Sequence, residues 1–271
     1  MGKGKKKKYT ARTADRHILY QKSVQSPKED VRFFSRRHKL LTGKPLRRFR
    51  EDFCGTAKLS CEFVKLHEDN TALGIDLDGP TLCWAREKNL SQLDDGQRKR
   101  VTLLQKNVLS VSRPQVQLIA ALNFSYWVFK TREDLLEYLK KARGGLVRGG
   151  VFLADVYGGP EAQTVQEEET KFTGFSYIWD QHRFDPISNE ILCRIHYRFP
   201  DGTEMRNAFV YDWRLWSLPE LTELMTEAGF RDVHVLWEDT DKDTNEGNGN
   251  FRRIRKGHAD PAWIAYVVGR S

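Results

Sequence analysis

Residues 48–64 read RFREDFCGTAKLSCEFV. The first part alternates basic, aromatic and acidic side chains, the middle holds one glycine between small residues, and the last part places apolar residues at helical spacing. This predicts a strand near 47–53, a tight turn, and a helix from about 57 to 67. Glycine at such a junction lets a ligand approach the backbone, and the first turn of the helix then presents N–H groups to it. Two carboxylates beside that turn, Glu51 and Asp52, make it more than a plain connection.

Working outward, the same alternation continues. TALGID (71–76) reads as a second strand. GPTLCWAREKNLSQL (79–93) reads as a helix with Asp78 as its N-cap and Pro80 in its first turn. RVTLLQ (100–105) and VQLIAALNF (116–124) are the third and fourth strands. REDLLEYLKKARGGL (132–146) is a helix with acids early, bases late and a glycine stop. GGVFLADVY (149–157) is the fifth strand. Near-continuous apolar strands between amphipathic helices predict an α/β fold, a mostly parallel sheet with helices on both faces.

The pattern breaks between about 160 and 216, where FSYIWDQHRFD, EILCRIHYRF and MRNAFVYDWRLW are aromatic-rich and β-prone, with PDGT as a turn signal. A small antiparallel β insertion after the fifth strand is expected there. A helix at 217–230 and a sixth strand at 231–238 follow. A loop over 239–261 then precedes a last strand, AWIAYVVGR (262–270). Upstream, residues 1–12 read as a disordered basic tail and 13–44 as two helices broken at Ser26-Pro27. The main domain spans 45–271.

Composition narrows the function classes. Among 271 residues, 39% are apolar and the formal charge is +8, but five lysines fall in the opening MGKGKKKK. Such a run reads as a solvated tail whose contact with nucleic-acid phosphates is weak and non-specific. No apolar run reaches the ~20 residues that span a bilayer, so no membrane partner is expected. The four cysteines (Cys54, Cys61, Cys83, Cys193) form no CxxC pair and have no zinc-type spacing, which points to a reducing compartment, most simply the cytoplasm. Nothing specifies an oligomeric state.

In an open parallel sheet, ligands collect at the carboxyl ends of the strands. Three ends here carry groups suited to an adenosyl cofactor. Residues 51–57 offer Gly55 at a helix N-terminus. Asp76 ends the second strand, and a carboxylate's two oxygens match a vicinal diol. Asn107 after the third strand could bond the edge of adenine, with Val108 beside the ring.

REDFCGTA, followed by GIDLD, NFSYW and GGVFLADVYGG, resembles the class I S-adenosylmethionine-dependent methyltransferases over roughly residues 45–270. The resemblance implies a Rossmann-like seven-stranded sheet whose antiparallel last strand lies between the fifth and sixth. It places Glu51 at the family's first-motif acid, Gly55 at its central glycine and Asp76 at its ribose-binding acid. Phe53 and Ala57 stand where the family usually has glycines, so either Glu51 or Asp52 is left as the motif acid. The cofactor-binding set expected for S-adenosyl-L-methionine is Arg50, Glu51, Asp52, Phe53, Cys54, Gly55, Thr56, Asp76, Leu77, Asn107, Val108 and Asn123. Arg50 either binds the cofactor's carboxylate or neutralises its neighbours. Cys54 reads as a small close-approach residue rather than a nucleophile, because no base partner is evident.

NFSYW at the end of the fourth strand makes Asn123 and Tyr126 the candidate catalytic residues, with His182 and His196 as further candidate bases. The insertion's Phe172, Phe175, Tyr177, Trp179, Phe184 and Tyr197 either form a pocket for a cation or build the insertion's own core. Phe251, Arg252 and Arg253 in the long loop either close over an anionic group or stay solvated. Methyl transfer to a small molecule, an amine above all, is the favoured reading. An RNA or protein acceptor docked by the basic tail, and a non-enzymatic nucleotide binder, are the alternatives.

Overall fold

A computed structural model describes residues 9–241 and 247–271, so the Lys-rich run MGKGKKKK lies outside the described residues, as do 242–246 of the long loop. The chain forms two compact units. One holds residues 27–161 and 216–271. The other holds 162–215 together with the N-terminal segment up to Ser26.

The larger unit is built on β1 (Arg48–Asp52), β2 (Thr71–Asp76), β3 (Val101–Gln105), β4 (Val116–Ala121), β5 (Leu146–Gly158), β10 (Arg231–Thr240), β11 (Gly247–Arg253) and β12 (Trp263–Arg270). Their order is β11-β10-β12-β5-β4-β1-β2-β3. β1 to β5 pair in parallel, whereas β12 runs antiparallel to both β5 and β10. The expected seven-stranded frame is therefore present, with the last strand between the fifth and sixth.

One strand was not expected. β11 forms inside the 239–261 stretch and pairs antiparallel with β10, extending the sheet to eight strands. Phe251 does not hang in a loop but stacks its ring edge on Tyr266 at 4.7 Å and packs on Phe33. Arg252 is bound to Asp239, and Arg253 to Asp232 at 2.9 Å. Those pairings occupy both guanidinium groups within the sheet itself.

Strand alternation sorts the core into two layers. Phe49, Leu118, Val151, Leu153 and Val268 face α2 (Pro27–Thr42) and α3 (Lys58–Lys65), burying Val31, Phe34 and Phe63. Phe152 faces the opposite layer, where Tyr138 of α6 (Arg132–Gly144) and Phe230, just after α7 (Leu218–Glu227), pack against it. Asp78 caps α4 (Gly79–Lys88) as expected, accepting from the Thr81 N–H.

The smaller unit is a four-stranded antiparallel sheet in chain order: β6 (Gln166–Phe172), β7 (Phe175–Phe184), β8 (Glu190–Arg198) and β9 (Glu204–Arg214). Leu19 of α1 (Arg16–Ser23) packs into its core with Phe175, Ile195, Tyr197, Phe199 and Ala208. Phe172, Tyr177 and Trp179 lie against the same cluster. Five of the insertion's six expected aromatic residues thus build its own core, Phe184 lying outside that cluster. The first N-terminal helix goes with this sheet, while the second belongs to the larger unit.

Candidate functional site

Residues Glu51 and Asp52 are adjacent in β1, so their side chains leave on opposite faces. Glu51 turns toward α3, where its Oε2 accepts from both the backbone N–H (3.0 Å) and the hydroxyl (2.6 Å) of Ser60. Burial pushes its carboxyl up to about 8, against the pull of the two Ser60 bonds. Asp52 turns toward α6. It accepts a two-point contact from Arg50 (2.6 and 3.2 Å) and a hydrogen bond from the Tyr138 hydroxyl (2.9 Å). Burial raises its carboxyl as well, and Arg50 opposes that shift.

Arg50 is fully buried. Beyond Asp52 it donates to the carbonyl oxygens of Val111 (2.5 Å) and Val108 (3.2 Å), fixing the turn after β3. Its guanidinium is spent inside the fold, so the reading of Arg50 as a cofactor-carboxylate ligand fails and the neutralising one holds. Asp52 belongs to the same internal cluster. Glu51, also in β1, is the carboxylate that reaches the first turn of α3.

The turn between β1 and α3 has an unusual backbone. Phe53 (φ 56°), Gly55 (φ 49°) and Ala57 (φ 53°) all adopt the left-handed conformation. Only glycine adopts it without penalty; other residues give up roughly 1–2 kcal/mol each. The chain keeps a glycine-type path at positions 53 and 57 with non-glycine residues, and packing compensates. The Phe53 ring lies 5.7 Å from Tyr138 and 6.1 Å from Phe129, and Ala57 is buried with Cys54, Leu82 and Ala85. Cys54 sits over Gly74 of β2, and burial holds its thiol well above the usual range, so it is inert packing. Asn89 donates to the Thr56 carbonyl (2.8 Å), pinning the turn from below.

At the crest of this turn, Gly55 gives its N–H to Asp76 Oδ2 (2.7 Å), while Asp76 Oδ1 accepts from the Asp78 N–H (2.9 Å). Each oxygen is held by one bond and has a lone pair left for a ligand hydroxyl. A side chain built at Gly55 would meet nothing within 4 Å. That space, a doubly held carboxylate beneath it, and Leu77 exposed beside it at 65% fit a ribose-bearing ligand with an apolar ring. Asn107 is exposed after β3; its Oδ1 caps the following turn at the Leu109 N–H, which leaves its amide hydrogens to donate. Val108 is buried, and its carbonyl is taken by Arg50.

A second clasp lies at the end of β4. Asn123 (φ 53°) and Phe124 (φ 56°) are both left-handed, and their N–H groups converge on the carboxylate of Asp155 at 2.7 and 3.0 Å. Burial raises the Asp155 carboxyl to about 7 despite these donors. Asp155 was not among the expected site residues. The signal for it was a lone acid in the apolar run VFLADVY, at the carboxyl end of a central strand. Tyr126 is not a base: its hydroxyl is buried and donates to the Asp155 carbonyl (2.9 Å), and its ionisation is pushed far up. It braces the turn that carries Asn123.

The two candidate histidines lie in the antiparallel sheet. His196 accepts the Asn207 N–H at Nδ1 (2.8 Å), so its neutral ring carries a proton on Nε2, which faces Asp180 at 3.3 Å. His182 and Arg194 approach the same carboxylate at 3.6 and 3.9 Å. Glu167, Asp180 and His196 come close enough together to bracket a metal ion. The tautomer set by Asn207 closes the imidazole lone pair on that side, so the trio is a hydrogen-bonded cluster.

No family model matches the sequence, and no curated protein matches it. Solved structures do share its fold. The CcbJ methyltransferase of Streptomyces caelestis superposes with a TM-score of 0.66 at 15% identity, over 91% of this chain and 96% of that one. CalS10 of Micromonospora echinaspora, an amino pentose methyltransferase solved with S-adenosylmethionine bound, gives 0.65 at 14% identity, over 94% and 96%. The sugar N-methyltransferase KedS8 of a Streptoalloteichus species gives 0.62 at 15% identity, over 100% and 98%. The chain therefore has the fold of class I S-adenosylmethionine-dependent methyltransferases, β insertion included.

Proposed function

We propose that this chain is an S-adenosylmethionine-dependent methyltransferase whose acceptor is a small molecule bearing an amine. The observation that carries the reading is the cradle at residues 53–57: three left-handed residues, open space over Gly55, and Asp76 holding the crest with lone pairs to spare. Asp76 would accept the ribose hydroxyls, Asn107 would donate to the adenine edge, and Leu77 would cover the ring. Glu51 acts on the turn from behind, tying β1 to the first turn of α3. Asn123, on the backbone clasped by Asp155, is the group at the end of β4 that would orient the acceptor.

Bound in this cradle, the sulfonium would supply an electrophilic methyl group. The chain's own part is positioning and exclusion of water. An acceptor amine that enters neutral needs no base at the site, because the methylated ammonium gives its proton to solvent. That chemistry agrees with the buried, proton-donating state of Tyr126. The amine class is supported by the activities that the structural relatives CalS10 and KedS8 are named for. A reducing, cytoplasmic setting remains part of the same proposal and rests on the four cysteines being free thiols. The basic tail is assigned no more than weak, non-specific contact with phosphates.

Calorimetric titration of S-adenosylhomocysteine tests the reading. Micromolar binding is expected for the wild type, and Asp76→Ala should lose about 2–3 kcal/mol of it, on the order of one hydrogen bond to a charged acceptor. Failure of the wild type to bind would remove the methyltransferase assignment.

A further inference from the structure

The carboxyl edge of the large sheet continues past β5, through the start of β12 to the end of β10. Trp263 pairs with Gly158 in register, three residues along β5 from Asp155. At this end of the sheet lies a cavity of about 130 Å³ lined by Trp237, Glu238, Asp260 and Trp263, with Gly247 and Pro261 among the remaining walls. The two indoles are tilted by 38° with their rings 5.0 Å apart. A cavity of about 150 Å³ accepts a benzene ring, so this one has room for a headgroup of a few heavy atoms.

Its construction is specific. The Trp263 indole lies so close over Gly158 that an added Cβ would come within 2.3 Å of it, and a Cβ at Gly247 would come within 2.5 Å of the Glu238 carboxylate. Gly257 closes against Trp237 in the same way, at 3.0 Å. Glu238 Oε1 is held by the Gly249 N–H (2.8 Å), which aims the carboxylate without neutralising it. Among the described residues, no cation lies within 4 Å of Glu238 or Asp260, although Arg255 and Lys256 are near Asp260 in the chain. Two indoles and two carboxylates that pair with no cation among the described residues are a complementary lining for a positive charge on carbon-rich substituents: the rings attract it through their quadrupoles, and the acids through their charge.

We propose that this cavity binds an alkylammonium group. On the function proposed above, which this step rests on, it anchors a cationic group of the acceptor at the same sheet edge as the methyl donor. An acceptor with more than one amine could then be held by one while another is presented near Asn123.

The test is ligand-observed NMR titration with choline as the cationic probe and 3,3-dimethylbutanol as its neutral isostere. The wild type is expected to bind choline in the millimolar range or tighter, and the isostere at least about 5-fold more weakly. Glu238→Gln and Trp263→Leu should each weaken choline by roughly 3- to 10-fold, with Trp263→Phe recovering part of the loss. Equal binding of the two probes, no choline binding to the wild type, or unchanged affinity in Glu238→Gln would overturn the proposal. Glu238→Gln keeps the side chain's shape, so its result stands even if Trp263→Leu fails to fold. S-adenosylhomocysteine titrated in parallel reports on the cofactor site by itself. Loss of its binding with choline retained would sink the methyltransferase reading alone, and the reverse would sink the anchor alone.

Discussion

Acids that are buried or half-buried are handled differently in the two units. At the carboxyl edge of the large sheet, Glu51, Asp76 and Asp155 all accept backbone N–H groups, from Ser60, Gly55 and Asp78, and Asn123 and Phe124 respectively. In the antiparallel sheet, Asp180 is surrounded by side chains, those of His196, His182 and Arg194. A carboxylate that holds backbone N–H groups dictates the path of a loop, and at positions 55, 123 and 124 that path is left-handed. A carboxylate held by flexible side chains dictates only their rotamers. The first arrangement shapes a surface for a ligand, and the second holds a strand pair together.

The comparison predicts unequal responses to the same substitution. In Asp155→Asn, one amide oxygen remains to accept, while the new NH2 group confronts the second backbone N–H. A buried donor is then left unpaired, which costs about 1–3 kcal/mol. Asp180→Asn keeps an oxygen for the His196 Nε2–H and should cost under about 1 kcal/mol. In scanning calorimetry the first variant should melt roughly 3–8 °C lower and the second within about 3 °C of the wild type. Equal shifts would erase the distinction between the two kinds of clasp. Asp155→Asn should also weaken S-adenosylhomocysteine, because the 123–124 turn loses one of its two ties.

How much of this was readable in advance follows from the same physics. β2, β4 and β5 were legible because a strand covered on both faces must be apolar almost throughout, and runs such as VQLIAA say so directly, whereas β1 (RFRED) was legible only from the turn and helix that follow it. The Gly55–Asp76 pair was legible because both fall at strand ends. β11 was not, since GNGNFRR is an edge strand with mostly exposed residues and reads as a loop until β10 is placed beside it. The roles of Arg50 and Tyr126 were equally hidden. Each residue type suits a site, and only the direction of the side chain, into the core in both cases, decides against it. The Trp237–Trp263 pair joins residues twenty-six positions apart, on strands that no local pattern pairs.

A smaller effect sharpens the comparison through pH. The Glu51 carboxyl is raised to about 8 in the folded chain, whereas an unfolded glutamate ionises near about 4.3. Between these values the native state holds a proton that the unfolded chain has released, so stability is fullest at low pH and declines as pH rises toward 8. The slope from one such group is at most about 1.4 kcal/mol per pH unit. Asp155 adds a contribution of the same sign that ends near 7. Denaturant titrations of Glu51→Gln from pH 5 to 8 should therefore show a shallower decline that flattens above about 7. A decline parallel to that of the wild type up to pH 8 would mean that Glu51 is ionised in the folded chain.

The smallest effect is the most telling about the cradle itself. Ala57 is left-handed and buried. Ala57→Gly would relieve about 1 kcal/mol of backbone strain and lose about 0.8 kcal/mol of methyl burial, with a further few tenths lost to the freer unfolded chain. The net change in melting should fall within about 2 °C. Phe53→Gly relieves the same strain but strips a half-buried ring from Phe129 and Tyr138, and the lost packing outweighs the relief by about 1 kcal/mol. If both variants keep their affinity for S-adenosylhomocysteine, the ligand reads only the backbone path, and the side chains at 53 and 57 are there for packing. If Phe53→Gly alone loses affinity while Ala57→Gly does not, the ring is what holds the turn in its left-handed shape. The chain would then have replaced the freedom of a glycine with an aromatic brace.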